Sequence, residues 1–352
     1  MRPAGAERLR DASTASRGGR APDKPPGAFR RLLVRSLAMA LLTAVLLAAP
    51  PLPVPRLAAA ERHTLILDWF PNADHVPLYV ARDGGFFAKE GLEIELVAPA
   101  DPNDPLKLVA AGRAPFAINY QPNVTIARSR GLPVRAIGVL VEHPLSSLAF
   151  LKKSGIRTPA DLKGKRIGYS VQELELALLR ALAAAGGLKP DDYTTINVNF
   201  NLTSSLLSGQ VDAVIGAYWN YELAELELEG VPGGYFALAD YGVPDFYELV
   251  VISNDRFVTA QRATAQRLVR ALQAALDFTR AQPEAALALY LKANPEVRKD
   301  LDTRAFTLVR EQFARSQTQS AEKWERFARF AKAQGVIDTV PATADLFTNL
   351  TP

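Results

Sequence analysis

The sequence predicts an α/β chain: two lobes joined by two extended crossings and closed by a helical cover. Three observations predict it. Short β-rich runs alternate with stretches of helical spacing from residue 61 to 255. A turn-rich interruption at residues 158–164 divides that series into two units. Beyond Phe257 strand signals stop while helical spacing continues, as in Ala265, Leu268, Val269, Leu272, Ala275 and Leu276.

Taken in order, a strand is expected at residues 63–69, an amphipathic helix at 76–89 ending near Gly91, and a second strand at 92–97. A helix at 105–111, a strand at 116–120 and a strand at 134–141 follow. The run 147–152 reads as a crossover strand making the first crossing, and the run 247–253 as the second, with an apolar strand at 250–253 leading out. Between them come a strand at 166–170, a helix at 173–185, a strand at 195–200, a helix at 204–209 and a strand at 213–217, so both units read as parallel sheets with covering helices. The expected division is residues 61–150 with 250–352 as the first lobe and 151–249 as the second. Ligands of such sheets sit outside the carboxyl ends of strands, which places a cleft between the lobes.

Residues 1–60 are expected to be a leader. Arg30, Arg31 and Arg35 precede an apolar stretch at 37–49 that is too short to span a bilayer, and Ala58, Ala59 and Ala60 offer a small-residue cleavage site. The whole chain has 41 Lys+Arg against 37 Asp+Glu. Ten of those basic residues and three of the acidic ones lie in the leader, so the remaining 292 residues carry 31 basic against 34 acidic groups. The basic balance belongs to the leader, and it makes no case for nucleic acid. The chain has no cysteine, which excludes disulfides, thiolate metal sites and a lipid-modified cysteine; a soluble exported protein, not a lipoprotein, is the expectation. A periplasmic monomer without metal or cofactor completes it.

Polar and aromatic residues collect at strand ends. After the first strand come Asp68-Trp69-Phe70-Pro71-Asn72-Ala73-Asp74-His75, where Trp69 can stack on a planar ligand and Asn72 and His75 can donate or accept hydrogen bonds. The same run also reads as a turn with an Asx helix cap. After the third strand come Tyr120 and Gln121. Tyr169 ends a strand ahead of Ser170, Val171, Gln172, Glu173, Leu174 and Glu175, where Ser170 with Glu173 reads as a capping box. The most informative run is Gly216-Ala217-Tyr218-Trp219-Asn220-Tyr221-Glu222: one ring fits a core, but Asn220 and Glu222 beside it call for a binding role. Glu222 can pair with an aminopyrimidine edge as a carboxylate accepting two N–H bonds. Glu248, before the second crossing, either reaches the cleft or faces solvent.

These runs carry a resemblance. Asp68-Trp69-Phe70-Pro71-Asn72 with His75, Pro99-Ala100-Asp101-Pro102, Tyr120-Gln121-Pro122, Asp161-Leu162-Lys163-Gly164-Lys165 with Ile167-Gly168-Tyr169, Asn197-Val198-Asn199-Phe200 and the run Gly209 to Ala217 resemble, in order, the pyrimidine-precursor-binding proteins of ABC importers. These are related to the fungal thiamine-pyrimidine synthases. The resemblance implies a type II periplasmic-binding fold, an importer permease and its ATPase as partners, and a formylated aminomethyl-pyrimidine or related aminopyrimidine as ligand. Carried onto this chain, it implies a pocket of Trp69, Asn72, His75, Tyr120, Tyr169, Trp219, Asn220 and Glu222, and it implies hinge closure as the mode of binding.

Two rival readings remain. A synthase-like enzyme would consume His75 and a pyridoxal cofactor with a cysteine-rich motif, which a chain without cysteine lacks. A receptor for another heteroaromatic, a sulfonate or nitrate would share the fold; an anion would call for basic groups, whereas the clusters hold aromatics, amides and carboxylates.

Overall fold

A computed structural model describes residues 60–350; apart from Ala60, the expected leader lies outside the described residues. Among the described residues ten strands form two five-stranded sheets: β1 (Glu61–Ile66), β2 (Leu92–Val97), β3 (Phe116–Asn119), β4 (Val134–Val141), β5 (Ser146–Leu151), β6 (Arg166–Tyr169), β7 (Thr194–Asn197), β8 (Ala213–Tyr218), β9 (Gly233–Ala237) and β10 (Leu249–Asn254). The first sheet has the order β2-β1-β3-β10-β4 and the second β7-β6-β8-β5-β9. In each, the early strands are parallel: β1 pairs with β2 and β3, and β6 with β7 and β8.

Neither sheet is wholly parallel, contrary to the sequence reading. β10 runs antiparallel to both β3 and β4, and β5 runs antiparallel to both β8 and β9. Each is the strand that enters its sheet from the other one, so it arrives from the opposite end. The run expected as the first crossing is therefore a strand of the second sheet, and β10 is a strand of the first. The connecting segments are residues 142–145 and 242–248. Both inserted strands are buried on both faces, which is why they read as continuous apolar runs.

The helix expected at 76–89 breaks at Gly84 and Gly85 into Val76–Asp83 and Phe86–Lys89, because Gly85 takes φ 78 and ends the first helical path. Strand β9 was not legible in the sequence. Its Gly234 lies against the Phe150 ring, where a Cβ would come within 2.7 Å of Cε2, so glycine marks a close approach in place of a turn. After Asn254 the main elements are helical. The longest, Arg262–Ala281, buries Ala265, Leu268, Val269, Leu272, Ala275 and Leu276.

The parts of the chain built on the two sheets touch closely. Trp69, from the turn after β1, packs into a hydrophobic cluster otherwise made by the second sheet and the helices on it, such as Ala149, Val214 and Ala217 of the strands and Leu202 of the helix Leu202–Leu207. Its ring meets Phe200 edge-on at 4.6 Å. Asn103 accepts from Gln172 N–H at 3.1 Å and donates to the Ser170 carbonyl at 3.1 Å, and Arg130 pairs with Glu173 at 2.7 Å. Among the described residues no helix is long and apolar enough to cross a membrane.

Candidate functional site

Between the sheets lies a small, partly enclosed cavity. From the first sheet's side it is lined by Asp68, Trp69, Asn72, Asp74 and Tyr120, all following the carboxyl ends of β1 and β3. Ser146 comes from the start of β5. The opposite wall holds Leu174, Glu175, Leu202, Gly216, Tyr218, Tyr221 and Glu222, mostly after β6 and β8. This is the strand-end placement expected of a ligand site in α/β sheets.

Among the described residues four carboxyl groups line this space, and no lysine or arginine does. Asp68 is held on both oxygens: His75 Nε2 stands 2.8 Å from Oδ1, and Tyr120 donates its hydroxyl to Oδ2 at 3.0 Å. Because Asn72 N–H donates to His75 Nδ1 at 3.3 Å, Nε2 is the nitrogen left to donate to Asp68. Glu175 accepts from Ser170 N–H at 2.6 Å, and Glu222 from Tyr218 N–H at 2.7 Å. Burial pushes both up to about 8, with the Glu222 charge adding to the rise at Glu175. Each is therefore a carboxyl that holds its proton near neutral pH and can donate as well as accept. Asp74 is also raised well above the carboxylate range by burial.

Residues 72–286 match the family described as NMT1/THI5 like. The chain belongs to the NMT1/THI5-like family. It is 34% identical over 301 residues to the formylaminopyrimidine-binding protein of Halalkalibacterium halodurans, covering 83% of this chain and 91% of that one. It is 30% identical over 292 residues to the 4-amino-5-hydroxymethyl-2-methylpyrimidine phosphate synthase of Legionella pneumophila, covering 82% and 92%. The fold is that of periplasmic binding proteins: the alkanesulfonate-binding protein SsuA from Xanthomonas axonopodis pv. citri superposes with a TM-score of 0.66 at 19% identity, over 83% of this chain and 99% of that one.

Of the residues singled out in the sequence, this NMT1/THI5-like chain brings Trp69, Asn72, Tyr120, Tyr218 and Glu222 to the cavity wall. The others stand off it. His75 is fully buried behind Asp68, which it orients. Asn220 reaches the wall through Asp74, donating to Oδ1 at 2.7 Å. Gln121 accepts from Tyr247 N–H at 2.8 Å and donates to the Lys323 carbonyl, so it ties a helix start to the second connecting segment. Trp219 packs against the core and donates its indole N–H to the Pro144 carbonyl at 3.2 Å. Tyr169 is half-buried against the core as well. Glu248 neither lines the cavity nor faces solvent: it accepts from Leu145 N–H at 2.6 Å, Ser146 N–H at 2.9 Å and the Ser146 hydroxyl at 2.8 Å. That carboxyl joins one connecting segment to the other.

The two capping readings divide. Asn72 does cap the turn Ala73–His75, accepting from Asp74 N–H at 2.9 Å, while it also lines the cavity. The expected Ser170–Glu173 box does not form, because the Ser170 hydroxyl bonds to the Asn199 carbonyl and Glu173 turns to Arg130. Glu175 takes the Ser170 N–H instead. The site residues that the sequence reading passed over are Asp68, Asp74, Leu174, Glu175, Gly216 and Tyr221, each inside a run already marked, and Ser146 and Leu202. The signal available was acidic residues at strand ends; for Ser146 and Leu202 there was none.

Proposed function

We propose that this chain is the exported binding component of an ABC importer and that it closes two lobes over an aminopyrimidine precursor of thiamin, such as N-formyl-4-amino-5-aminomethyl-2-methylpyrimidine. The lobes would be the parts built on the two sheets, with residues 142–145 and 242–248 as the hinge. One observation carries the reading: an aromatic cavity with four carboxyls and no cation asks for a flat ligand rich in N–H donors. A carboxyl that keeps its proton donates O–H to a ring nitrogen while its other oxygen accepts from the adjacent exocyclic amine. Glu222, anchored through Tyr218 N–H, is our choice for that partner. Trp69 and Tyr120 from one side and Glu175 and Glu222 from the other give contacts that exist together only when the lobes are closed, which is the differential affinity that closure requires. The relative named for formylaminopyrimidine binding supports the same ligand class. Binding at the micromolar level or tighter corresponds to about −8 kcal/mol.

The synthase reading finds less support. Pyridoxal phosphate asks for a lysine amine and basic groups around its phosphate, and the lining residues hold neither. His75 has both ring nitrogens engaged and no exposure. The same absence of cations disfavours a sulfonate. A thermal-shift screen of aminopyrimidines, sulfonates and pyridoxal phosphate tests these readings together, since a ligand that binds only the folded chain raises its Tm by mass action. Stabilisation by a sulfonate and none by any aminopyrimidine would overturn the proposal.

A further inference from the structure

Asp74 and Asn220 meet across the cavity from opposite sheets. Asp74 lies in the turn after β1, and Asn220 lies just after β8. Asn220 donates from Nδ2 to Asp74 Oδ1 at 2.7 Å. Both residues are essentially inaccessible, at 1% and 0% exposure. Their two other oxygens, Asp74 Oδ2 and Asn220 Oδ1, are both buried without a hydrogen-bond partner among the described residues. Two acceptors left over on one amide–carboxyl contact are a costly arrangement if Asp74 is ionised, because neither can donate to the other. A single proton on Oδ2 turns both leftovers into one O–H to Oδ1 hydrogen bond.

We propose that Asp74 keeps its proton in the closed molecule and forms a cyclic acid–amide pair with Asn220, clasping the two lobes beside the ligand cavity. The surroundings favour the neutral acid. The titratable groups that act on Asp74 are carboxyls: Asp68 from its own turn, Glu222 from the helix Glu222–Leu228, and Asp302 from the helix Lys299–Val309 that packs on the turn. Tyr218 and Tyr221 face the same space. The neighbouring His75 directs its Nε2 hydrogen to Asp68 and leaves Asp74 without a cation. Opening the lobes would expose Asp74 to water, where it ionises in the ordinary range, so each closing event would take up one proton from solvent. Closure would then be strongest at low pH and weaken as pH rises above the usual carboxylate range, by at most about tenfold per pH unit for one proton. The clasp rests on the reading that these two parts open and close, and it is independent of which ligand the cavity takes.

Infrared difference spectra of the wild type against Asp74→Asn test it, recorded near neutral pH without ligand and with N-formyl-4-amino-5-aminomethyl-2-methylpyrimidine. Asparagine reproduces the donor and acceptor of the neutral acid, so Asp74→Asn should keep the clasp while deleting one carboxylic-acid carbonyl band. Loss of a carboxylate band in both states, with no carbonyl band lost in either, would overturn the proposal. Should the pyrimidine fail to bind, the functional reading fails, and the same spectra recorded with whichever compound of the thermal-shift screen raises the Tm decide the clasp. If Asp74→Asn does not fold, Asn220→Ala serves: removing the amide should move the acid carbonyl band or convert it to carboxylate, and an unchanged spectrum would refute the pair. A second readout is proton uptake on binding, measured by calorimetry in buffers of different ionisation enthalpy. It should be lower by about one proton per ligand at most in Asp74→Asn, the limit linkage sets for one group.

Discussion

Gly216 lies directly against the carboxyl of Glu175: a Cβ at residue 216 would overlap Oε1 and Cδ of Glu175 and come within 2.9 Å of its Cγ. Gly216 also takes φ 87, a conformation other residues adopt only with strain. The glycine thus lets β8 shift its register against β5 at this point and leaves the Glu175 carboxyl its place. Gly216→Ala should displace Glu175 and lower ligand affinity at least tenfold, roughly 1.4 kcal/mol or more. Calorimetry with the formylated aminopyrimidine checks this, with circular dichroism confirming that the variant is folded. Affinity equal to wild type would remove Glu175 from the binding site.

Glu222 is expected to pair with the pyrimidine edge as donor and acceptor at once. Glu222→Ala should therefore cost about 2–4 kcal/mol of binding free energy. Glu222→Gln, whose amide offers the same two functions, should cost less than about 1 kcal/mol on the same scale of neutral hydrogen bonds. Equal losses in the two variants would show that charge, not the donor–acceptor pattern, is what the ligand reads.

Glu248 binds three donors where the other connecting segment enters β5, Leu145 N–H and the N–H and hydroxyl of Ser146, so its effect should fall on stability and hinge geometry before affinity. Glu248→Ala leaves the N–H groups of Leu145 and Ser146 buried without their acceptor. Each such loss costs about 1–3 kcal/mol. Urea unfolding should show a midpoint shifted down with an unchanged slope. An unaltered midpoint would mean that water or a neighbouring group replaces the carboxyl.

Burial raises Glu175 and Glu222 from 4.5 to about 8 and Glu248 from 4.5 to about 7. Between those limits the folded chain binds more protons than the unfolded one. The stabilisation from keeping these groups neutral is therefore fully present below about 4.5 and is lost as pH rises towards 8. The Tm of the ligand-free protein should fall steadily over that range when followed by circular dichroism. A Tm that stays level from pH 5 to pH 8 would contradict the burial of these carboxyls.

What the sequence revealed and what it hid have physical reasons. Periodicity located β2 and β4 to the residue, because their apolar patterns are long and bounded by turns. It could not tell a crossing from an inserted strand at Ser146–Leu151, since a strand buried on both faces and an extended linker through the interior share one apolar pattern. Strand β9 escaped because its two glycines serve packing against Phe150 and the helix Glu222–Leu228. At the site, Trp69, Tyr120 and Glu222 were legible as rings and a carboxyl at strand ends. Trp219 had the same signature as Tyr218 one residue away, and only the pleat of β8 and the turn after it decide which ring faces the cavity. Glu248 read equally as a cleft or a solvent-facing acid, because nothing in its neighbours says that the partners burying it lie a hundred residues earlier.

The most direct test of the central claim is the titration of the purified protein with N-formyl-4-amino-5-aminomethyl-2-methylpyrimidine, followed by tryptophan fluorescence and calorimetry in wild type, Trp69→Phe and Trp219→Phe. Trp69 lines the cavity and Trp219 does not. The account predicts one site of micromolar or tighter affinity, a fluorescence change that Trp69→Phe abolishes and Trp219→Phe preserves, and no binding of an alkanesulfonate. A chain that ignores the pyrimidine and binds the sulfonate, or a signal that depends on Trp219 alone, would contradict it.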